Sequence, residues 1–133
     1  NNLAKGLWRE EMPYVQDMTN FVVRKQLEKM LSWKAGLLTN FQISVGKSAK
    51  YLYKWLEADE YQAYLNTYFS GNIAEAWTAV LHMCDLFEQT AVYVGNRLGY
   101  AYHAAEGKAA RGFLEHVRNL PKDAKDIYLE MKK

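Results

Sequence analysis

The clearest hydrophobic pattern in the chain lies between residues 73 and 98. Apolar residues recur there at alternating steps of four and three, namely Ile73, Trp77, Val80, Cys84, Phe87, Ala91, Val94 and Leu98. This spacing places the side chains on one face of an α-helix. Asn72 is a suitable N-cap and Gly99 a suitable C-terminal stop. The pattern therefore predicts a helix of about seven turns with one buried face.

A second helical pattern runs from Pro13 to Gly36. Proline is tolerated in the first turn of a helix. The apolar residues that follow recur at helical spacing, namely Val23, Leu27, Met30 and Leu31. Gly36 and the Thr39-Asn40 pair supply stop signals. This segment is predicted to be a long helix with one buried stripe.

The remaining segments are shorter. Residues 41–45 alternate apolar and polar side chains and are predicted to form an extended connector. Helices are predicted over residues 47–56, 58–69 and 104–120, and the charged tail 122–133 is either a short helix or a frayed end. Without a repeat or a flexible linker, the chain is predicted to be one all-α domain, a bundle of four or five helices.

Composition and charge limit the compartments in which this domain can function and the partners that it can bind. The 133 residues suffice for one compact core. The chain contains neither an apolar run long enough to span a membrane nor a secretory signal, and its single cysteine, Cys84, is compatible with a reducing compartment. The net charge of +2 is too small to indicate nucleic acid. We therefore expect a cytoplasmic protein with no membrane or nucleic-acid partner.

Gly46 and Lys47 are the first candidate binding residues. Val45-Gly46-Lys47-Ser48 resembles the end of a phosphate-binding loop, but that loop requires glycine where Phe41 stands. A turn at Gly46 that leads into a helix can still present amide hydrogens and the Lys47 ammonium to an anion. Further donors are close in sequence, namely Ser44, Ser48 and Lys50. A solvated helix start is the alternative.

Acidic and sulfur-bearing residues do not form a catalytic or metal-binding pattern. Glu10-Glu11 and Asp59-Glu60 are adjacent pairs, and neighbours on a helix diverge by about 100°. No Asp-x-Asp sequence occurs, although nucleotidyl transfer requires carboxylates that hold divalent cations. Cys84 falls in the apolar stripe, where a thiol packs. No catalytic residue and no metal ligand are predicted.

Two further groups of residues allow competing interpretations. Trp8 beside Glu10 and Glu11 could hold a cationic, sugar-like ligand by stacking and charge, whereas Trp8 as a core residue is the alternative. Arg111 and His116, five residues apart, resemble the pair of some RNA-cleaving helical bundles of the toxin–antitoxin type. A solvated helix face is the favoured explanation of that pair. A non-catalytic interaction module is a third interpretation.

Several blocks of this sequence resemble the C-terminal half of the aminoglycoside 6-adenylyltransferases, a streptomycin-modifying family. The similar blocks keep their order between about Ala4 and Tyr102, and they are residues 4–11, 31–33, 44–48 and 50–52. The resemblance implies a two-domain enzyme that transfers AMP from ATP to a streptomycin hydroxyl. Its N-terminal nucleotidyltransferase domain would hold ATP and Mg²⁺ with paired aspartates, and its helical domain would hold the antibiotic.

The resemblance also implies roles for individual residues. Those expected to face the ATP phosphates are Ser44, Gly46, Lys47 and Lys50. Those expected to contact the antibiotic are Trp8, Glu10, Glu11, Asp17 and Trp33. This chain lacks the catalytic half, and it starts without an initiator methionine. We expect a fragment of such an enzyme, with a stand-alone relative that has no chemistry as the alternative.

Overall fold

The computed structural model describes residues 2–100 and 104–123, and this part of the chain contains α-helices and no strand. In chain order the α-helices are α1 (Asn2–Trp8), α2 (Met12–Met18), α3 (Arg24–Leu38), α4 (Ala58–Leu65), α5 (Ile73–Leu98) and α6 (Ala104–Arg118). A π-helical segment, Thr19–Val23, joins α2 to α3 without a break. The predicted all-α bundle is confirmed.

Helix α5 has the predicted bounds, and its two ends show why. The Asn72 side chain accepts a hydrogen bond from the Glu75 backbone N–H at 3.0 Å, which satisfies one free donor of the first turn. Gly99 adopts a left-handed φ of 81° and donates to the Gly95 carbonyl at 2.9 Å. Leu98, predicted to be buried, is exposed because the buried stripe ends one turn earlier, at Val94.

The described core has two clusters of side chains, and α5 contributes to both. The first cluster joins α1, α2, the first half of α5 and α6, and includes Leu3, Leu7, Val15, Val80 and Val117. The second joins α3, α4, the middle of α5 and the loop after α3, and includes Leu27, Leu31, Leu52, Tyr64 and Met83. Val23 packs against both clusters.

A ladder of polar side chains ties α2 and α3 to the connection between α4 and α5. Gln16 donates to the Phe69 carbonyl at 3.3 Å, and Asn20 donates to Gln16 at 3.2 Å. Arg24, only 3% exposed, donates to Asn20 at 3.1 Å and to the Thr67 carbonyl at 2.9 Å. A second Arg24 nitrogen donates to the Thr67 hydroxyl. These bonds connect the π-helical segment to the rest of the bundle.

The prediction of a helix over residues 47–56 is wrong. The segment forms two 3₁₀ turns, Lys47–Ala49 and Leu52–Lys54. Ser48 and Ala49 have φ values of 56° and 57°, which an α-helix does not permit. Packing explains the difference, because Leu52 and Leu56 are buried in the second cluster and hold the segment against its neighbours.

Other helix ends differ from the prediction by a few residues. Helix α4 ends at Leu65 and not at Phe69, because the Thr67 carbonyl and hydroxyl bind Arg24 and leave the helical pattern. Helix α6 ends at Arg118, ahead of Pro121. The short helix α1 was not predicted. Of the predicted charged tail, residues 124–133 lie outside the described part of the chain.

Candidate functional site

The junction between α1 and α2 forms an acidic and aromatic corner, made of Trp8, Glu10, Glu11 and Tyr14. Glu10 adopts a φ of 59°, and its backbone N–H donates to the Leu7 carbonyl at 3.1 Å. Glu11 follows as the residue before α2, with a side chain that makes no capping hydrogen bond. The sharp turn between the two helices leaves both carboxylates exposed.

Glu11 and Tyr14 line a cavity of about 410 Å³ on one side of this corner. The other residues that line it are Asn2, Lys5, Gly6 and Arg9. A Cβ atom on Gly6 would lie 2.8 Å from the Tyr14 ring, so the close approach of this ring to α1 depends on the glycine. The cavity therefore combines one carboxylate with an aromatic wall and two cationic side chains.

Trp8 and Glu10 meet at a bound cation on the corner, the Lys122 ammonium. The Lys122 nitrogen lies 3.3 Å from a Glu10 carboxylate oxygen and 5.8 Å from the centroid of the Trp8 ring. It also donates to the Trp8 carbonyl oxygen. The sequence predicted Trp8 and an acidic neighbour as a site for a cationic, sugar-like ligand, and in the structure these groups contact a lysine of the chain itself.

Asp17 and Trp33 are both exposed on the long helical stretch from α2 to α3. Asp17 lies one turn after Tyr14 and extends the acidic and aromatic corner. Trp33 lies sixteen residues further on, roughly 24 Å along the axis at 1.5 Å per residue. The structure therefore places Asp17 with the corner, and it does not bring Trp33 and Asp17 close enough to contact one sugar ring.

The loop around Gly46 is a tight turn with an exposed Lys47. Gly46 has a φ of 78°, and its backbone N–H donates to the Ser44 hydroxyl at 3.1 Å. A Cβ on Gly46 would lie 2.7 Å from the Tyr51 ring. The interpretation of Lys47 as the start of an α-helix is wrong, because a single 3₁₀ turn follows and the Gly46 amide already has an acceptor. Any attraction for an anion here therefore comes from lysines.

A cluster of lysines around Tyr51 adds Lys54, which the sequence analysis missed. The Lys50 and Lys54 ammonium groups lie 5.0 and 4.5 Å from the centroid of the Tyr51 ring. Lys54 also lies 6.0 Å from the Tyr53 ring. With Lys47, the loop presents three exposed ammonium groups. Lys47 and Lys50 were predicted as phosphate contacts, whereas Lys54 was missed, although the spacing of three lysines within eight residues was a signal for it.

The acidic corner and the lysine loop rest on different parts of the core. Trp8 packs against the first cluster, whereas Val45 and Ala49 of the loop pack against the second. The continuous helical stretch from Met12 to Leu38 connects the two regions, since it begins beside the corner and ends where the loop begins. The candidate binding residues thus form two groups of opposite charge.

Arg111 and Cys84 have structural partners, whereas the buried Nε2 atom of His116 has no hydrogen-bond partner among the described residues. The Arg111 guanidinium lies 3.2 Å from Asp85 and 3.5 Å from Glu115, so it is not free to bind an RNA phosphate. Burial raises the pKa of the Cys84 thiol, and the nearby Arg111 charge only partly opposes this. A thiol with a raised pKa is a poor nucleophile, and Cys84 packs against the first cluster.

Tyr64 is the other group with a shifted pKa. Its pKa is raised, first by burial and then by hydrogen bonds to Tyr68 and Glu28. The Tyr64 hydroxyl donates to a Glu28 carboxylate oxygen at 2.9 Å and lies 3.2 Å from the Tyr68 hydroxyl. This phenol therefore keeps its proton and braces α4 against α3.

The described residues offer neither a cluster of metal ligands nor a helix that could cross a membrane. Within residues 2–100 and 104–123, no group of three or more His, Cys, Asp or Glu side chains is placed to hold a metal ion. The helices described there also fall short of the length and apolarity that a transmembrane helix needs.

Comparison with known proteins gives a consistent set of similarities. A family model described as "Streptomycin adenylyltransferase" matches residues 1–117. Aminoglycoside 6-adenylyltransferases of Campylobacter jejuni and Staphylococcus aureus are 29% and 30% identical over 100 and 86 residues, which are 75% and 65% of this chain. The matched parts are 35% and 30% of those relatives, so the chain spans about a third of their length.

A solved structure shows the same fold. The crystal structure of an aminoglycoside 6-adenyltransferase from Bacillus subtilis superposes with a TM-score of 0.79 at 24% sequence identity. The superposition covers 89% of this chain and 44% of that chain.

Proposed function

The chain belongs to the streptomycin adenylyltransferase family, and on that premise we propose that it forms the antibiotic-binding wall of an enzyme that transfers AMP from ATP to a streptomycin-like aminoglycoside. In this proposal residues 1–133 are one helical domain, and an N-terminal nucleotidyltransferase domain forms the opposite wall. ATP as the donor places the enzyme in the cytoplasm. The observation that carries the proposal is the acidic and aromatic corner, which already holds an ammonium group.

The corner has the chemistry that a polycationic sugar requires. Aminoglycosides carry several cationic groups on saccharide rings, and carboxylates next to an aromatic face bind such groups by charge and by cation–π attraction. Glu10 and Glu11 supply two exposed carboxylates beside the Trp8 and Tyr14 rings, and Asp17 adds a third one turn away. Trp33, at the far end of the same helical stretch, is the least supported antibiotic contact.

The lysine loop is proposed to face the triphosphate of ATP. Lys47 and Lys50 supply exposed ammonium groups, which bind phosphate as point charges. Ser44 and Gly46 hold the shape of the turn through their mutual hydrogen bond. Lys54, which shares the Tyr51 ring with Lys50, joins this group.

The transfer step itself requires groups that the described residues do not supply. An antibiotic hydroxyl oxygen attacks the α-phosphorus of ATP, its proton passes to a base, and pyrophosphate leaves. Carboxylates that hold Mg²⁺ stabilise the charge that develops in such a displacement. Since no metal-binding group is formed within residues 2–100 and 104–123, we assign Mg²⁺ and the base to the N-terminal domain.

The proposal is tested by pyrophosphate release from ATP and streptomycin. We expect no release with this chain alone, and release when it is joined to the N-terminal nucleotidyltransferase domain of a relative. In the joined protein, Lys47→Ala should raise the KM for ATP or slow transfer, whereas Lys108→Ala, which removes an equal charge from α6, should not. An inactive joined protein whose NMR signals near Glu11 do not respond to streptomycin would refute the proposed function.

A further inference from the structure

Lys122 occupies the place in which the proposed function would put a cationic group of the antibiotic. The residue follows Pro121, after the end of α6, and lies far in sequence from the corner that it contacts. Helix α6 packs against α1, which carries the start of the tail to Trp8. The corner and its cation thus come from opposite ends of the described chain.

Three groups of the corner contact the Lys122 ammonium at once. The Glu10 carboxylate is 3.3 Å away, the Trp8 ring centroid is 5.8 Å away, and the Trp8 carbonyl oxygen accepts a hydrogen bond. A carboxylate, an aromatic face and a carbonyl oxygen together are a suitable set of partners for an ammonium or a guanidinium. The Lys122 ammonium therefore contacts three groups that would also suit the cation of a ligand.

The contact with Lys122 is weak enough for another cation to displace the ammonium. Its side chain is 63% exposed and that of Glu10 is 57% exposed, so water competes for both charges. An exposed ion pair and an exposed cation–π contact each contribute little to stability. A planar guanidinium can bind a carboxylate with two parallel hydrogen bonds and stack on an indole, which an ammonium cannot do.

We propose that Trp8, its carbonyl oxygen and the Glu10 carboxylate form a subsite for one guanidinium of the antibiotic, and that Lys122 is an internal competitor that closes it in the free protein. This inference rests on the proposed function and adds to it a regulating residue. The antibiotic must displace the Lys122 ammonium before its own cation can bind. Lys122 thereby sets the apparent affinity of the site.

The effect of Lys122 on the apparent affinity for the antibiotic can be estimated. When only a fraction of the protein has an open site, the apparent dissociation constant is the intrinsic one divided by that fraction. For contacts as exposed as these, removing the competitor should tighten binding roughly three- to tenfold. Lys122→Gln keeps a long polar side chain and removes the ammonium, and its exposed position makes misfolding of this variant unexpected.

The test is a titration of the ¹⁵N-labelled chain with streptomycin, which carries two guanidinium groups, into the millimolar range. The reporter is the indole N–H signal of Trp8, identified by its loss in Trp8→Phe. Wild type is compared with Lys122→Gln and with Lys108→Gln, the matched control for loss of one positive charge. We expect Lys122→Gln to bind roughly three- to tenfold more tightly than both. Adding Glu10→Gln to Lys122→Gln should abolish that gain.

The outcomes separate the two proposals. Equal affinities for Lys122→Gln and Lys108→Gln, with the Trp8 signal moving in both, would overturn the competition and leave the binding wall in place. Binding that never moves the Trp8 signal would overturn the subsite. Absence of binding to Lys122→Gln would also overturn the inference, and pyrophosphate release by the joined two-domain protein would then decide the proposed function separately.

Discussion

Replacing Arg24 with methionine removes the guanidinium that links the α2–α3 stretch to the connection between α4 and α5. Arg24 is 3% exposed, and its donors bind Asn20 and both the carbonyl and the hydroxyl of Thr67. The guanidinium carbon also lies 3.7 Å from the centroid of the Tyr68 ring. The methionine side chain has a similar length, but it has no N–H group to donate to these acceptors.

The expected loss of stability follows from the buried acceptors that Arg24→Met leaves without a donor. A buried acceptor without a donor costs about 1–3 kcal/mol, and hydrogen bonds from a charged donor contribute about 1.5–3 kcal/mol each. Because three neutral acceptors lose their donor together, the combined cost is about 3–5 kcal/mol. We expect the free energy of unfolding of Arg24→Met to fall by that amount, a large part of the roughly 5–15 kcal/mol that stabilises a domain.

Urea unfolding followed by far-UV circular dichroism measures this loss. With a slope of about 2 kcal/mol per molar urea, the midpoint should fall by about 2 M. Thr67→Val, which removes one acceptor, should lose about 1–3 kcal/mol. The control is Lys25→Met, the adjacent exposed cation, with a change within about 0.5 kcal/mol. If Arg24→Met unfolds within 1 kcal/mol of that control, roughly the threshold set by these magnitudes, the polar ladder does not stabilise the bundle.

Three other variants test single features. Gly46→Ala forces a side chain into a φ of 78° against the Tyr51 ring and should lower the free energy of unfolding by about 1–3 kcal/mol, with Gly71→Ala as an unstrained control. Asn72→Ala removes the cap of α5 and should cost about 1 kcal/mol, visible as a lower Tm; an unchanged Tm would contradict the cap. Burial raises the Cys84 pKa, so the folded state holds this proton longer than the unfolded state. Stability from Cys84 should therefore be present below about pH 8.5 and be lost as the pH rises above it; a Cys84→Ala variant with the same pH dependence would show otherwise.

How far the fold follows from the sequence depends on whether its signals are local. Helix α5 was predicted with its observed bounds because Asn72 and Gly99 act on the adjacent turn. The segment after Gly46 has helical apolar spacing, but burial of Leu52 and Leu56 against distant helices decides its conformation. No local pattern reveals such packing. Arg24, which directly follows the π-helical segment, likewise bonds to Thr67, which is remote in sequence.

The candidate site also has a part that the sequence predicts and a part that depends on distant packing. The pairing of Trp8 with an acidic neighbour was predictable, because both lie within three residues and their chemistry suits a cation. The cation itself, Lys122, is over a hundred residues away in sequence, and only the packing of α6 on α1 brings it there. The contacts of Lys50 and Lys54 with Tyr51 were missed because the turn that gathers them was predicted to be helix.

The π-helical segment Thr19–Val23 lies between α2 and α3, which pack against different core clusters. Adding one residue to an ordinary α-helix would rotate everything after it by about 100°. Leu27 and Leu31 would then turn away from the second cluster. A single π-helical turn accommodates one extra residue without rotating the rest of the helix. One continuous helical stretch can thus bury Val15 in the first cluster and Leu27 in the second.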